Sequence, residues 1–220
     1  MPADLPFGIA REDVVELPGG HCSRVFALGD RILKVPFRGE EQTTGLAAAL
    51  ALQEVGGPAV FEFDPMSGSL LMERIVPGTP LCDSDLTEDE RFEVFSRIVR
   101  RIHALPAESG TFLHGDLHHE NILWDGDARA WRPIDPKGGF GEPEMDGPAW
   151  LRNPFRQFGS VSEIQSLTLH RLQRMEDDLG WSRRRVLALA IAGLDDLLDG
   201  LDADHPWHRY AEAIHPLTAP

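Results

Sequence analysis

Near the middle of the chain the segment LHGDLHHENILW is followed, after DGDARAW, by RPIDPKGG, and together they carry the residue types that phosphoryl transfer requires. Asn121 stands five residues after Asp116, and Asp135 fourteen residues after Asn121. Magnesium is a hard cation that takes oxygen ligands in near-octahedral geometry and shares them with substrate phosphates, so one carboxylate and one amide carbonyl suffice from a protein. Asn121 and Asp135 fit that role, which leaves Asp116 to accept or orient the proton of an attacking hydroxyl. Singly these are ordinary loop residues, because Asp, Asn and His commonly cap helices and make turns. Their order, behind a helix and ahead of a β-ribbon, points to kinase-type chemistry.

Upstream, Lys34 lies within the apolar run RILKVPF, where a cation is out of place unless it meets anionic phosphate. The preceding LPGGHCS places Gly19, Gly20 and Ser23 at a strand-to-strand turn, where backbone amides and a hydroxyl can approach a triphosphate. That stretch matches neither common glycine-rich phosphate-binding pattern, and alone it reads as a hairpin turn. His114, His118 and His119 admit a rival reading, a metal-hydrolase cluster with Asp116 and Asp135. The chain supplies no further ligands for it. His114 therefore reads as packing and hydrogen-bonding within its loop, and His118 and His119 as substrate contacts or solvated side chains.

The elements that must hold these residues fall into two textures. DVVELP, RVFALG and RILKVPF read as an antiparallel meander, residues 40–54 as a helix, and PAVFEF and SLLMER as two more strands around the turn DPMSG. After IVPGTP, taken as a hinge, Thr87 and Glu90 form a capping box that opens a helix with Phe95, Ile98, Val99, Ile102 and Leu105 on one face. A loop-rich centre follows, then helical patterns over 160–179 and 182–201. The expected class is α+β: a small antiparallel β-lobe with one helix over residues 1–75 that binds nucleotide, and a mainly helical lobe over 76–220 that holds the catalytic residues and substrate.

The 220 residues are 42% hydrophobic, enough for a substantial core. A formal charge of −15, from 21 Lys and Arg against 36 Asp and Glu, argues against gripping nucleic acid or an anionic membrane and favours cationic partners. Cys22 and Cys82 share no CxxC spacing, and the N-terminus lacks a secretory pattern, so a reduced cytoplasmic setting is expected. No apolar run approaches the roughly 20 residues of a membrane helix.

HGDLHHENIL followed by IDPKG resembles the aminoglycoside phosphotransferase family, in particular its streptomycin 6-kinase and hydroxyurea kinase branch. The resemblance continues through LPGGHCSRVFALGDRILKVP and LLMERIVPGTPL, over about the first 150 residues. It implies a protein-kinase-like two-lobed fold and ATP- and magnesium-dependent phosphorylation of a small-molecule hydroxyl. By resemblance Asp116 is the catalytic aspartate, Asn121 and Asp135 hold magnesium, Lys34 holds the nucleotide phosphates, and the backbone from Glu73 to Ile75 receives adenine. The family's helix glutamate that pairs with the strand lysine aligns with Gly45, and Glu41, one turn earlier on the same face, is its expected substitute. A pseudokinase that binds nucleotide without turnover is the alternative, against which the retained Asp116, Asn121 and Asp135 argue.

Overall fold

The structure, a computed structural model, describes residues 5–18, 22–37, 41–107 and 109–218, apart from the side chains of residues 41–43 and 218. β1 (Val15–Glu16), β2 (Ser23–Leu28) and β3 (Arg31–Pro36) run antiparallel; after α1 (Glu41–Glu54), β4 (Val60–Asp64) and β5 (Ser69–Glu73) complete a sheet of order β1-β2-β3-β5-β4. The β2–β3 turn spans two residues and sets Gly29 at φ +57°, a conformation that glycine takes without a Cβ penalty. Period-two alternation then sorts the side chains. Phe26, Leu33 and Leu71 are buried on one face beneath Leu5, Phe7, Ile9 and Val14. Ser23, Val25, Ile32, Lys34, Leu70 and Met72 line a cleft on the other. Lys34 thus shares the cleft face with Ile32, which is how an apolar strand accommodates it.

Beyond Glu73 the chain forms β6 (Pro77–Pro80), α2 (Glu88–His103), β7 (Thr111–Phe112), β8 (Ile122–Asp125), β9 (Ala130–Pro133) and β10 (Phe140–Gly141). Five helices follow: α3 (Gly147–Leu151), α4 (Val161–Leu179), α5 (Arg183–Ala192), α6 (Leu194–Leu198) and α7 (Pro206–Ile214). The IVPGTP segment is more than a connector, because β6 pairs with β8 in a second sheet of order β6-β8-β9. The Thr87 and Glu90 capping box is present, with the Glu90 carboxylate accepting from the Thr87 N–H at 2.7 Å. The face it launches buries Phe92, Phe95, Ile98, Val99 and Ile102, and the Phe95 ring lies 4.4 Å from that of the fully buried Trp150. α4 starts with a second capping box, Ser160 and Glu163, and packs against α2, α5 and α7.

The helix expected over 182–201 is two helices. Gly193 caps α5 through its N–H to the Leu189 carbonyl, and Asp195 and Asp196 then occupy the first turn of α6. Glycine is a poor interior helix residue and early acids favour a new helix N-terminus, so the break has a local cause.

Arg132 on β9 ties the two sheets together. Its guanidinium donates to Glu73 through two nitrogens at 2.8 Å and to Asp125 at 2.6 Å. It also reaches the carbonyls of Gly56 and Gly57 at 2.8 and 2.9 Å, just after α1. Removing the cation leaves two facing carboxylates without their counter-charge and two carbonyls without this donor. Arg132→Met is therefore expected to destabilise the fold by about 2 to 3 kcal/mol, read as a lower urea midpoint at unchanged slope.

Candidate active site

The loop between β7 and β8 is held like an extra strand. Leu113 donates to the Gly139 carbonyl at 3.0 Å, and the N–H groups of Lys137 and Gly138 converge on the His114 carbonyl at 2.8 and 3.1 Å. Between them Gly115 sits at φ +81°, and a Cβ there would lie 3.0 Å from the Lys137 Cβ and 3.2 Å from the Gly138 carbonyl oxygen. Position 115 thus requires glycine for both its dihedral and its closeness.

Asp146 fixes this loop from below. Its carboxylate, with no solvent exposure, accepts from the backbone N–H of Gly115 at 2.7 Å and of His114 at 3.1 Å, and meets His103 Nε2 at 2.9 Å. Sequence reasoning passed over Asp146. A lone Asp in PEMDGPAW carries no local signal, since its partners lie 31 to 43 residues away.

His114 is fully buried; its Nδ1 accepts from the Asp116 N–H at 3.3 Å, so its Nε2 donates to the Ile134 carbonyl at 3.0 Å. Burial holds its pKa below the ordinary histidine value, in keeping with that neutral tautomer. The expected packing role for His114 is what the fold displays. His119 is neither a solvated side chain nor a group facing the cleft: it is buried, stacks on Trp150 at 3.7 Å and accepts from Arg171 at 3.2 Å. Burial, and then the Arg171 cation, push its pKa well down. His118 caps the short turn at His119–Asn121 by accepting from the Glu120 N–H, and its Nε2 lies 3.8 Å from Asp116. Among the described residues no three His, Cys, Asp or Glu side chains are grouped to hold a metal ion, so the hydrolase cluster is not assembled.

Lys34, Ser23, Asn121 and Asp135 do meet, on the walls of one cleft of about 400 Å³ between the five-stranded sheet and the β8–β9 hairpin. Asp135 follows β9 with φ +59°, a left-handed conformation that Asp tolerates better than most residues. Its carboxylate receives the Lys34 ammonium from across the cleft, and Lys137 lies 3.9 Å away. Burial alone would raise the Asp135 pKa; the two lysines outweigh it and keep the group below the ordinary carboxylate value. Asn121 uses its amide nitrogen on the Asp116 carbonyl at 2.9 Å, which makes the amide oxygen the end that can meet a cation. The donors here are a carboxylate and an amide oxygen, and they suit a hard cation such as magnesium.

Glu73 and Ile75 also border the cleft, yet the Glu73 carboxylate belongs to Arg132 and the Ala59 N–H, and that arginine lowers its pKa. Asp116 is not among the residues that line this cleft; its Oδ1 accepts from Arg152 Nη2 at 3.0 Å. Arg152 is a second residue that sequence reasoning missed. Gly19 and Gly20 lie outside the described residues, as does the side chain of Glu41.

A two-lobed arrangement of an antiparallel sheet and a mainly helical half with a cleft beside the sheet is that of protein-kinase-like phosphotransferases. A thermostable mutant of aminoglycoside phosphotransferase APH(4)-Ia, in ternary complex with AMP-PNP and hygromycin B, has this fold at a TM-score of 0.61 and 16% identity, over 98% of this chain and 97% of that one. The phosphotransferase enzyme family matches residues 15–132, more than half of the chain, and the aminoglycoside/hydroxyurea antibiotic resistance kinase family matches residues 106–194. The chain belongs to the phosphotransferase enzyme family. It is similar to the streptomycin 6-kinase of Streptomyces griseus, 23% identical over 79% of this chain and 73% of that protein. It is also similar to the streptomycin 3''-kinase of Klebsiella pneumoniae, 47% identical over 57 residues, which are 26% of this chain and 21% of that protein. Among the described residues no helix is long and apolar enough to cross a membrane.

The Asp146 anchor generates a prediction. Asp146→Asn keeps the shape but turns an NH2 group toward backbone or imidazole donors. It is expected to cost about 3 kcal/mol of stability and to lower turnover by tenfold or more as the loop shifts. Urea unfolding and steady-state turnover on the same preparation check both.

Proposed function

We propose that this protein transfers the γ-phosphoryl group of ATP to a hydroxyl of a small molecule, with Asp116 as the catalytic base. The observation that carries this reading is the convergence of Lys34 and Asp135 across one cleft, with Asn121 beside them bonded to the Asp116 backbone. Lys34 and Ser23 hold the nucleotide phosphates, and the backbone from Glu73 to Ile75 receives adenine. Asn121 and Asp135 would hold magnesium, which supplies charge neutralisation of the phosphate oxygens when bound. Asp116 accepts the hydroxyl proton as that oxygen bonds to the γ-phosphorus and the β–γ bridging oxygen departs with ADP. A phosphate ester, ADP and a proton result. Most of the rate enhancement is positioning and electrostatics rather than covalent chemistry.

The acceptor is favoured to be cationic. The chain carries a formal charge of −15, and the relatives are named as streptomycin kinases. Streptomycin, other aminoglycosides, hydroxyurea, amino alcohols and sugar amines form the panel in which ATP consumption identifies it. Nucleotide binding with no turnover across that panel would replace the kinase reading by the pseudokinase one.

Asp116→Ala is expected to lower turnover by about 10² to 10⁴ while ATP affinity stays close to wild type, because the base does not hold the nucleotide. Wild-type turnover in that variant would end the assignment. Asp135→Ala is expected to abolish the magnesium dependence of nucleotide binding, measured by calorimetry with and without the ion, since it removes the charged oxygen ligand. A full magnesium effect in the variant would move the site to another acid.

A further inference from the structure

We propose that Lys137 is a further catalytic residue: its ammonium group takes the γ-phosphoryl oxygens of bound ATP and holds that group between Asp135 and Asp116. This rests on the reading of Asn121 and Asp135 as the magnesium site and of Asp116 as the base.

Two lysines face one carboxylate, and they come from different directions. Lys34 reaches Asp135 Oδ1 from β3, whereas Lys137 follows Asp135 by two residues and places its Nζ 3.9 Å from Oδ2. The Lys34 side chain is 11% exposed and the Lys137 side chain 34%, so the first is built into the cleft wall and the second has room to turn its head. A separation of 3.9 Å is an ion-pair distance and not a hydrogen bond. Asp135 steers this ammonium toward the cleft without locking it in place.

The root of Lys137 is fixed beside the base. The N–H groups of Lys137 and Gly138 donate to the carbonyl of His114, two residues before Asp116. The Lys137 Cβ lies so near Gly115 that a Cβ at position 115 would come within 3.0 Å of it. On the other side Gly138, at φ +75°, approaches α1 closely enough that a Cβ there would stand 2.9 Å from the Ala48 Cβ. The segment is thus set between α1 and the loop that carries Asp116, and the four-carbon stem is the part left to move.

Charge decides where that stem goes. With Asp135 engaged by a dication, its carboxylate no longer attracts the ammonium, and the nearest strong negative charge is that of the phosphate oxygens sharing the cation. Lys34 and Ser23, on the sheet, address the nucleotide phosphates from one side. Lys137, rooted next to Gly115, addresses the terminal phosphate, which must lie toward Asp116 for transfer. The acceptor oxygen bonds to the γ-phosphorus, its proton passes to Asp116, and the β–γ bridging oxygen leaves with ADP. Lys137 keeps its protons throughout. It aligns the phosphoryl group and neutralises part of its charge, the two contributions to which phosphoryl transfer responds.

The test compares ATP with ADP, which differ by the γ-phosphoryl group alone. With the full chain and magnesium, calorimetry gives the affinity for each nucleotide, and ADP release gives turnover across streptomycin, other aminoglycosides, hydroxyurea, amino alcohols and sugar amines. Lys137→Met keeps the stem and removes the charge. It is expected to weaken ATP about tenfold, to leave ADP within about twofold of wild type, and to lower kcat by about 10- to 100-fold at an unchanged unfolding temperature. Lys137→Arg is expected to recover most of both losses. Equal weakening of ATP and ADP in Lys137→Met, or an unchanged ATP affinity, overturns the γ-phosphoryl contact, and a wild-type kcat overturns the catalytic role. Losses that come only with a lowered unfolding temperature, and that Lys137→Arg does not recover, make the lysine structural and overturn both. A wild type that binds ATP but turns over no acceptor overturns the phosphotransferase reading and the catalytic role with it; the ATP-to-ADP comparison then confirms or overturns the contact by itself. Turnover in the wild type with an unaltered Lys137→Met overturns this proposal alone.

Discussion

The loop that carries Asp116 and Asn121 depends on a carboxylate with no solvent exposure. Asp146 gathers two consecutive backbone N–H groups and one imidazole. Burying a carboxylate is costly unless it is hydrogen-bonded, and these three contacts supply both of its oxygens. The arrangement works in both directions. The carboxylate needs the His114–Gly115 segment to be where it is, and that segment leads directly into Asp116. His103 brings α2 into the same cluster, so the packed face of that helix and the loop share one anchor.

Two further charge contacts set the cleft above that anchor. Lys34 and Asp135 meet across it, and Arg132 fastens Glu73 at the end of β5 to Asp125 at the end of β8. The first contact places its charges where an anionic ligand and a cation would share them, and the burial of Asp135 strengthens that attraction. The second is structural. It uses three nitrogens on four groups and so leaves Arg132 little freedom to serve the cleft directly. One charge pair thus faces the space between the halves while the other holds the halves around it.

The histidine-rich stretch illustrates how burial selects chemistry. His114 and His119 are kept neutral because their surroundings do not solvate a cation. Neutral imidazole can donate from one nitrogen and accept at the other, and His114 does both within its own loop. His119 serves as a flat partner for Trp150, so that the residue next to His118 belongs to the core. His114, which the sequence already placed as a packing and hydrogen-bonding residue of its loop, is that, and His119, read as a substrate contact or a solvated side chain, is a packing residue of the core.

What the sequence by itself determined is what short-range physics controls. Alternation and turn residues define β2, β3 and β5, the capping box starts α2, and the run from Asp116 to Asp135 is compact enough for spacing to carry meaning. Lys34 stood out because a cation within an apolar run calls for an anionic partner, and the structure gives it Asp135. Tertiary structure decided the rest. Asp146, Arg132 and Arg152 look like ordinary surface or core residues, and each acquires its contacts from partners that approach only when distant elements pack. The pairing of β6 with β8 follows the same logic: a PGTP segment permits several conformations, and only the surrounding packing selects one.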